Sequence, residues 1–123
     1  MIGSCAKIKV DECTGETCGA QTAHIDVGLF KPNGKPYLLD SYTVVTQVGG
    51  EVVLSKTINP ATDTTGYYVV ISDAEKSKVT VDGVYFNFIG KKGGVEVVNL
   101  PYRIAHNCCD VVQKSGLSID TIK

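Results

Sequence analysis

The residues best suited to chemistry in this sequence are its five cysteines, which lie near the two ends of the chain. Cysteine sulfur forms disulfides and also binds soft metal ions such as Zn²⁺. His106, close to the later cysteines, would add a nitrogen ligand to such a metal site. The cysteines are Cys5, Cys13, Cys18, Cys108 and Cys109.

The spacing of the cysteines favours disulfides over a metal site. Adjacent residues on an extended strand point to opposite faces, so Cys108 and Cys109 would reach different partners instead of binding one ion. We therefore predict two disulfides that join them to Cys13 and Cys18. A local Cys13–Cys18 disulfide beside a Cys108–Cys109 pair is the alternative connectivity. A zinc site is the second hypothesis, with its ligands drawn from Cys13, Cys18, His106, Cys108 and Cys109.

Five cysteines in 123 residues are typical of an oxidising compartment. We therefore expect an exported protein, either secreted or anchored at a bacterial outer membrane. Ile2, Gly3 and Ser4 before Cys5 resemble the end of a bacterial lipoprotein signal, in which Cys5 would carry the lipid in the native protein. Without Cys5 four cysteines remain, an even number that suits two disulfides. The alternative is an ordinary cysteine after a flexible start.

No arrangement of residues is typical of an enzyme. His106 and Cys108 would share one face of a strand, but neither an orienting acid nor an oxyanion donor stands out beside them. Phosphate loops, dinucleotide fingerprints and calcium loops are missing from the sequence. Twelve basic and thirteen acidic residues leave a net charge of −1, which excludes the basic footprint of a nucleic-acid binder. We predict a non-enzymatic protein without a cofactor, which binds no nucleic acid and meets a membrane only through the lipid.

Tyrosines offer a candidate binding surface. A platform on one sheet would bind carbohydrate, and the expected partner is a protein or a glycan at the cell envelope. The alternative is that these tyrosines occupy ordinary strand positions with their hydroxyl groups at the rim. A further alternative is an adhesin or fibre subunit, whose edge strands pair with a neighbour. The platform residues would be Tyr37, Tyr68, Tyr85 and Tyr102.

Short strands would position all of these residues. Alternating apolar and polar residues predict strands from residues 7–10 onward, and paired glycines such as Gly49 and Gly50 predict hairpin turns. We predict an all-β antiparallel sandwich of about 7–9 strands, prealbumin-like or Ig-like, in a single domain over residues 1–123. Residues 1–6 would be a flexible start, and residues 113–123 a tail that adds a last edge strand.

Local patterns predict several further features of the fold. Residues 66–71 are apolar on both faces and are predicted to lie centrally in a sheet, whereas residues 72–78 would hold one helical turn at most. Residues 79–81 are predicted to form a strand, joined to the next by a turn or bulge at Asp82 and Gly83. Pro101 indicates an edge position. The predicted core is Ile25, Val27, Leu29, Val69, Ile71, Phe86 and Phe88.

Two stretches resemble a known family. Residues 27–36 read VGLFKPNGKP and residues 62–70 read TDTTGYYVV. Together they are similar to the turn and strand signatures of carboxypeptidase-regulatory-like domains, which are prealbumin-like (transthyretin-like) sandwiches. With the late cysteine pair, the chain also resembles small secreted lipoproteins of Bacteroidetes-type bacteria. The resemblance covers about residues 21–112 and implies an accessory or binding role at the envelope.

Overall fold

The computed structural model describes residues 23–122. The predictions for residues 7–10 and for Cys5, Cys13 and Cys18 lie outside the described residues. Eight strands and one 3₁₀ helix, Asp73–Lys78, make up the regular structure of the described part. The strands are β1 (His24–Phe30), β2 (Ser41–Thr46), β3 (Val52–Thr57), β4 (Tyr67–Ser72), β5 (Val84–Lys92), β6 (Val95–His106), β7 (Val111–Ser115) and β8 (Ile119–Thr121).

The strands form two sheets that pack face to face. One sheet has three strands in the order β4-β1-β8, and the other has five in the order β3-β2-β5-β6-β7. All neighbouring strands are antiparallel except β1 and β8, which are parallel. The predicted all-β antiparallel sandwich is thereby confirmed. Within the described residues, the C-terminal tail supplies β8 at the edge of the three-stranded sheet.

Alternation along the strands builds the core between the sheets. In β5, Phe86 and Phe88 are fully buried, whereas Tyr85 and Asn87 face outward. The hairpin β2–β3 turns at Gly49 and Gly50, and both glycines have positive φ angles that cost other residues free energy. Of the seven predicted core residues, six are buried, and Val69 is not. The six are Ile25, Val27, Leu29, Ile71, Phe86 and Phe88.

Strand β4 differs from the prediction in two ways. Within the described residues it lies at the edge of the three-stranded sheet and not at its centre. The pairing of β1 with β4 shifts register at Ile25/Asp26, so Val69 lies opposite Asp26 on the outer face. The buried side chains are instead Tyr68, Val70 and Ile71. An apolar run without a period of two does not tell which face is buried, and the bulge decides it here.

The segment after β4 forms a six-residue 3₁₀ helix, about two turns where one turn at most was predicted. Ser72 caps the 3₁₀ helix, and the Glu75 side chain accepts a hydrogen bond from the Ser72 backbone N–H at 2.9 Å. Residues 79–81 are not a strand, although Val79 is buried. Gly83 follows with a φ angle of +108° and leads directly into β5.

Pro101 lies on β6, which is not an edge strand, since β5 and β7 flank it. The β7 ladder nevertheless ends where Ser115 pairs with Arg103. The carbonyl of Tyr85 accepts a hydrogen bond from the backbone N–H of Gln47, on the side of β5 that faces away from β6. Tyr85 and Arg103 are therefore a non-hydrogen-bonded pair, and the backbone groups of Arg103 point away from β5. Pro101, two residues from Arg103, faces the same open side, where its missing N–H breaks no ladder among the described strands.

Candidate functional site

Cys108 and Cys109 lie in a tight turn between β6 and β7, residues 107–110, and not on a strand as predicted. The side-chain oxygen of Asn107 accepts hydrogen bonds from the backbone N–H groups of Cys109 at 2.9 Å and Asp110 at 2.7 Å. An asparagine that bonds the following backbone is a strong turn former, and it overrides the extended conformation expected for this stretch.

The zinc hypothesis is tested only in part. Cys13 and Cys18 lie outside the described residues, and so the predicted disulfide connectivity and the full ligand set stay predictions. The ring Nδ1 of His106 lies 3.0 Å from the carbonyl oxygen of Asn107. Within residues 23–122, no three His, Cys, Asp or Glu side chains lie close enough together to hold a metal ion.

A carboxylate fixes the turn to the rest of the fold. Asp73, the first residue of the 3₁₀ helix, accepts hydrogen bonds from the backbone N–H of Ala23 at 2.9 Å and of Val111 at 3.0 Å. Burial raises the pKa of the Asp73 carboxyl, but these two N–H groups, the Asp110 side chain and the Lys76 ammonium together lower the pKa below its ordinary value. Asp73 therefore joins the start of β1 to the start of β7, a structural role.

The four tyrosines predicted as one platform do not lie together. Tyr68 and Tyr102 are buried in the core, with 4% and 1% of their surface exposed. Tyr37 is half-buried, and the Lys92 ammonium lies 4.7 Å from its ring centroid. Only Tyr85, at 53% exposure, presents its ring to solvent on a sheet face. The common tyrosine platform was a wrong prediction.

On the outer face of the five-stranded sheet, Tyr85 has Arg103 as its cross-strand partner and uncharged residues in the next row. Asn87 follows Tyr85 on the same face of β5, and Asn99 and Pro101 occupy the same face of the neighbouring β6. Asn87 pairs with Pro101 across the strands, and its side-chain Nδ2 donates to Oδ1 of Asn99 at 2.6 Å. The two amides are thus held side by side, with Asn87 in the row next to Tyr85 and Asn99 one row further along the sheet.

A recess of about 470 Å³ opens between this face and the segment that leaves β7. Its wall includes the rings of Tyr85 and Pro101, and Leu117, which is 51% exposed. A volume of this size lies within the range of ligand sites, which are mostly apolar with a few polar groups. We call this surface the Tyr85 patch; it consists of Tyr85, Asn87, Asn99, Pro101, Ser115 and Leu117.

The recess has a rigid wall because the segment after β7 is held on both sides. The Tyr102 hydroxyl donates to the carbonyl of Leu117 at 2.6 Å, and the backbone N–H of Gly28 donates to the carbonyl of Ser118 at 2.8 Å. Gly116 has a φ angle of +127°, and a Cβ atom there would overlap the Tyr102 ring. Only glycine lets the segment pass so closely over the ring as it crosses to the other sheet.

Arg103, the cross-strand partner of Tyr85, fixes its ring. Its guanidinium carbon lies 5.6 Å from the ring centroid, within the range of a cation–π contact. Its Nη2 donates to the backbone carbonyl of Asp82 at 2.5 Å. The aromatic ring is therefore held in place before any ligand binds, which lowers the entropy lost on binding.

A second groove, between β3 and β4, is smaller and charged. It measures about 240 Å³ and is lined in part by Lys56, Asp63 and Tyr67. Tyr67 is 52% exposed, but its ring packs edge-on against Phe30 with the centroids 5.5 Å apart. The larger recess with a sheet face beside it is the stronger candidate for a binding site.

Comparison of the chain with protein-family models, with curated protein sequences and with solved structures finds no match. The function must therefore be argued from the site itself. No helix in the described range is both long and apolar enough to pass through a membrane.

Part of the Tyr85 patch was readable in the sequence. Tyr85 stands at the opposite parity to Phe86 and Phe88, which marks it as outward-facing. Tyr102 shares the parity of Leu100 and is accordingly buried. Leu117 carries no comparable signal, because its position depends on how the segment after β7 crosses between the sheets.

Proposed function

We propose that this chain is a non-catalytic, exported domain that acts as an accessory or binding module at a bacterial envelope. Its binding surface is the Tyr85 patch. The observation that carries the proposal is an exposed aromatic ring, held by Arg103, beside an apolar recess of about 470 Å³. Exposed aromatic residues next to well-packed pockets are where binding energy concentrates.

The cysteines support the exported character of the proposal. We propose that Cys108 and Cys109 form disulfides with Cys13 and Cys18. Disulfides persist in oxidising compartments such as the periplasm and the cell surface. Cys5 is the proposed lipid-bearing residue. The resemblance to carboxypeptidase-regulatory-like sandwiches and to Bacteroidetes-type lipoproteins agrees with an accessory role and is part of the proposal.

The proposal is tested by co-sedimentation of the full chain with envelope preparations from Bacteroidetes-type bacteria. Tyr85→Ala should lose most of the binding, because the ring contributes the central contact of the patch. Tyr67→Ala is the matched control, since Tyr67 has nearly the same exposure but lies on the other sheet, and it should bind like the wild type. Equal binding by the wild type and Tyr85→Ala would contradict the proposed surface. Concentration-dependent polymerisation of the chain would instead support the fibre hypothesis.

A further inference from the structure

We propose that the ligand of the Tyr85 patch is a neutral glycan, a polyhydroxylated ring without charged substituents. This inference rests on the proposed function and assigns the chemical class of its ligand. A sugar ring has an apolar face of C–H groups and a rim of hydroxyl groups that both donate and accept hydrogen bonds. The site must therefore offer a flat apolar surface and, next to it, uncharged donors and acceptors.

The apolar requirement is met by the rings of Tyr85 and Pro101, with Leu117 closing the recess. All three line one recess and are exposed to solvent. An aromatic ring offers a large contact area with few rotatable bonds to immobilise, and its hydroxyl group remains at the rim. The contact with Arg103 already restricts the ring of Tyr85.

The polar requirement is met by the amide pair. One hydrogen bond joins Asn87 to Asn99, and it uses one donor and one acceptor of the pair. A carbonyl oxygen on Asn87 and two N–H donors on Asn99 are left to face solvent in the described structure. An acceptor and donors set side by side can bind two neighbouring hydroxyl groups of one sugar.

The distribution of charge selects a neutral ligand. The chain has 25 charged residues of Asp, Glu, Lys and Arg, yet two adjacent cross-strand rows of this face carry none. Arg103 lies in the row of Tyr85 itself, next to one of these rows, and Lys91 lies beyond the other. Arg103 is engaged with Tyr85 and with the carbonyl of Asp82, so it belongs to the frame of the site. The first row consists of Val45, Asn87 and Pro101. The second consists of Thr43, Ile89 and Asn99.

The first test uses neutral oligosaccharides of glucose, mannose, galactose, xylose and N-acetylglucosamine, with binding to the full chain measured by calorimetry. At least one should bind, and Tyr85→Ala should weaken it by about tenfold or more. Tyr85→Trp should retain binding because it keeps the stacking surface. Asn99→Asp should also weaken binding, since a carboxylate replaces the N–H donors without changing the size of the side chain. Failure of every oligosaccharide to bind, or equal binding by Tyr85→Ala, would overturn the inference.

The second test separates the ligand class from the proposed function. Envelope preparations are treated either with periodate, which cleaves carbon–carbon bonds between neighbouring hydroxyl groups, or with protease. Loss of co-sedimentation after periodate, but not after protease, is the expected result. Loss after protease alone would identify a protein partner and overturn the glycan inference, while the proposed binding module would stand. No binding to untreated envelope would contradict the proposed function itself.

Discussion

Replacing Asp73 with asparagine should lower the free energy of unfolding by about 1.5–3 kcal/mol at neutral pH. The Asp73 carboxylate accepts hydrogen bonds from Ala23 at 2.9 Å through one oxygen and from Val111 at 3.0 Å through the other. Asparagine keeps only one oxygen and turns an NH₂ group towards the second N–H. One charge-assisted hydrogen bond of about 1.5–3 kcal/mol is lost, and the remaining bond becomes neutral and weaker.

The pH dependence of this effect follows from the lowered pKa of Asp73. Its ordinary value is 3.8, and the folded protein lowers it, so protons bind the unfolded chain more readily. The stabilisation by Asp73 is therefore complete above the ordinary pKa and disappears as the pH falls through the lower folded value. At that pH the protonated acid resembles asparagine, and the difference between the two proteins should shrink.

Urea unfolding of both proteins at pH 7 and at about pH 3 measures the effect. Glu96→Gln is the control, since it removes an exposed carboxylate from the strand β6 and should change stability by less than about 0.5 kcal/mol. Equal stability of Asp73→Asn and the wild type at pH 7 would refute the role of Asp73 in joining β1 to β7. A difference that persists unchanged in acid would refute its dependence on the charge.

Three further predictions concern the stability of the fold. Gly116→Ala should destabilise the fold by about 2–4 kcal/mol, because the new Cβ would overlap the Tyr102 ring and the φ angle is +127°. The control, Gly93→Asn, has a φ angle of +62° in open space and should cost about 1 kcal/mol or less, as measured for both variants by thermal unfolding. Burial raises the pKa values of Tyr42, Tyr68 and Tyr102 above their ordinary value of 10.0, so stability should fall as the pH rises past 10. In an alkaline ultraviolet titration these phenols should ionise together with unfolding, and ionisation of all six tyrosines before the fold is lost would contradict their burial. If four cysteines form two disulfides, alkylation of the unfolded, unreduced chain should label one thiol, and reduction should raise the number to five. The long closed loop should contribute about 4–5 kcal/mol of stability. Thiols that become open to alkylation when a chelator is added would instead support a zinc site.

Sequence patterns predicted the parts of the fold that local chemistry controls. The alternation around Phe86 and Phe88 and the turn at Gly49 and Gly50 each determine a strand or a hairpin without help from distant residues. The capping box of Ser72 and Glu75 is also visible in the sequence and marks the start of the 3₁₀ helix. The strand predicted at residues 79–81 was wrong. Valine-rich stretches are ambiguous, because burial of one side chain such as Val79 satisfies them as well as a strand does.

Features that depend on distant contacts could not be predicted in this way. The outward orientation of Val69 depends on the bulge at Ile25/Asp26, in the neighbouring strand. The turn at Cys108 is different, because the adjacent Asn107 forms it and the prediction of a strand there overlooked this local signal. The Tyr85 patch is assembled from β5, β6 and the segment after β7, which approach one another only through the topology of the sheet. Single residues such as Tyr85 could be placed on a face, but the recess beside it could not be foreseen.

The most direct test of the binding surface is chemical-shift mapping on the ¹⁵N-labelled full chain, titrated with a solubilised envelope extract. The extract contains both proteins and glycans, so the result does not depend on the ligand class. The proposal predicts that the largest shifts fall on the backbone amides of Tyr85, Asn87, Asn99 and Leu117. Shifts centred on Tyr67 and Lys56, in the groove between β3 and β4, with none at the Tyr85 patch, would contradict it.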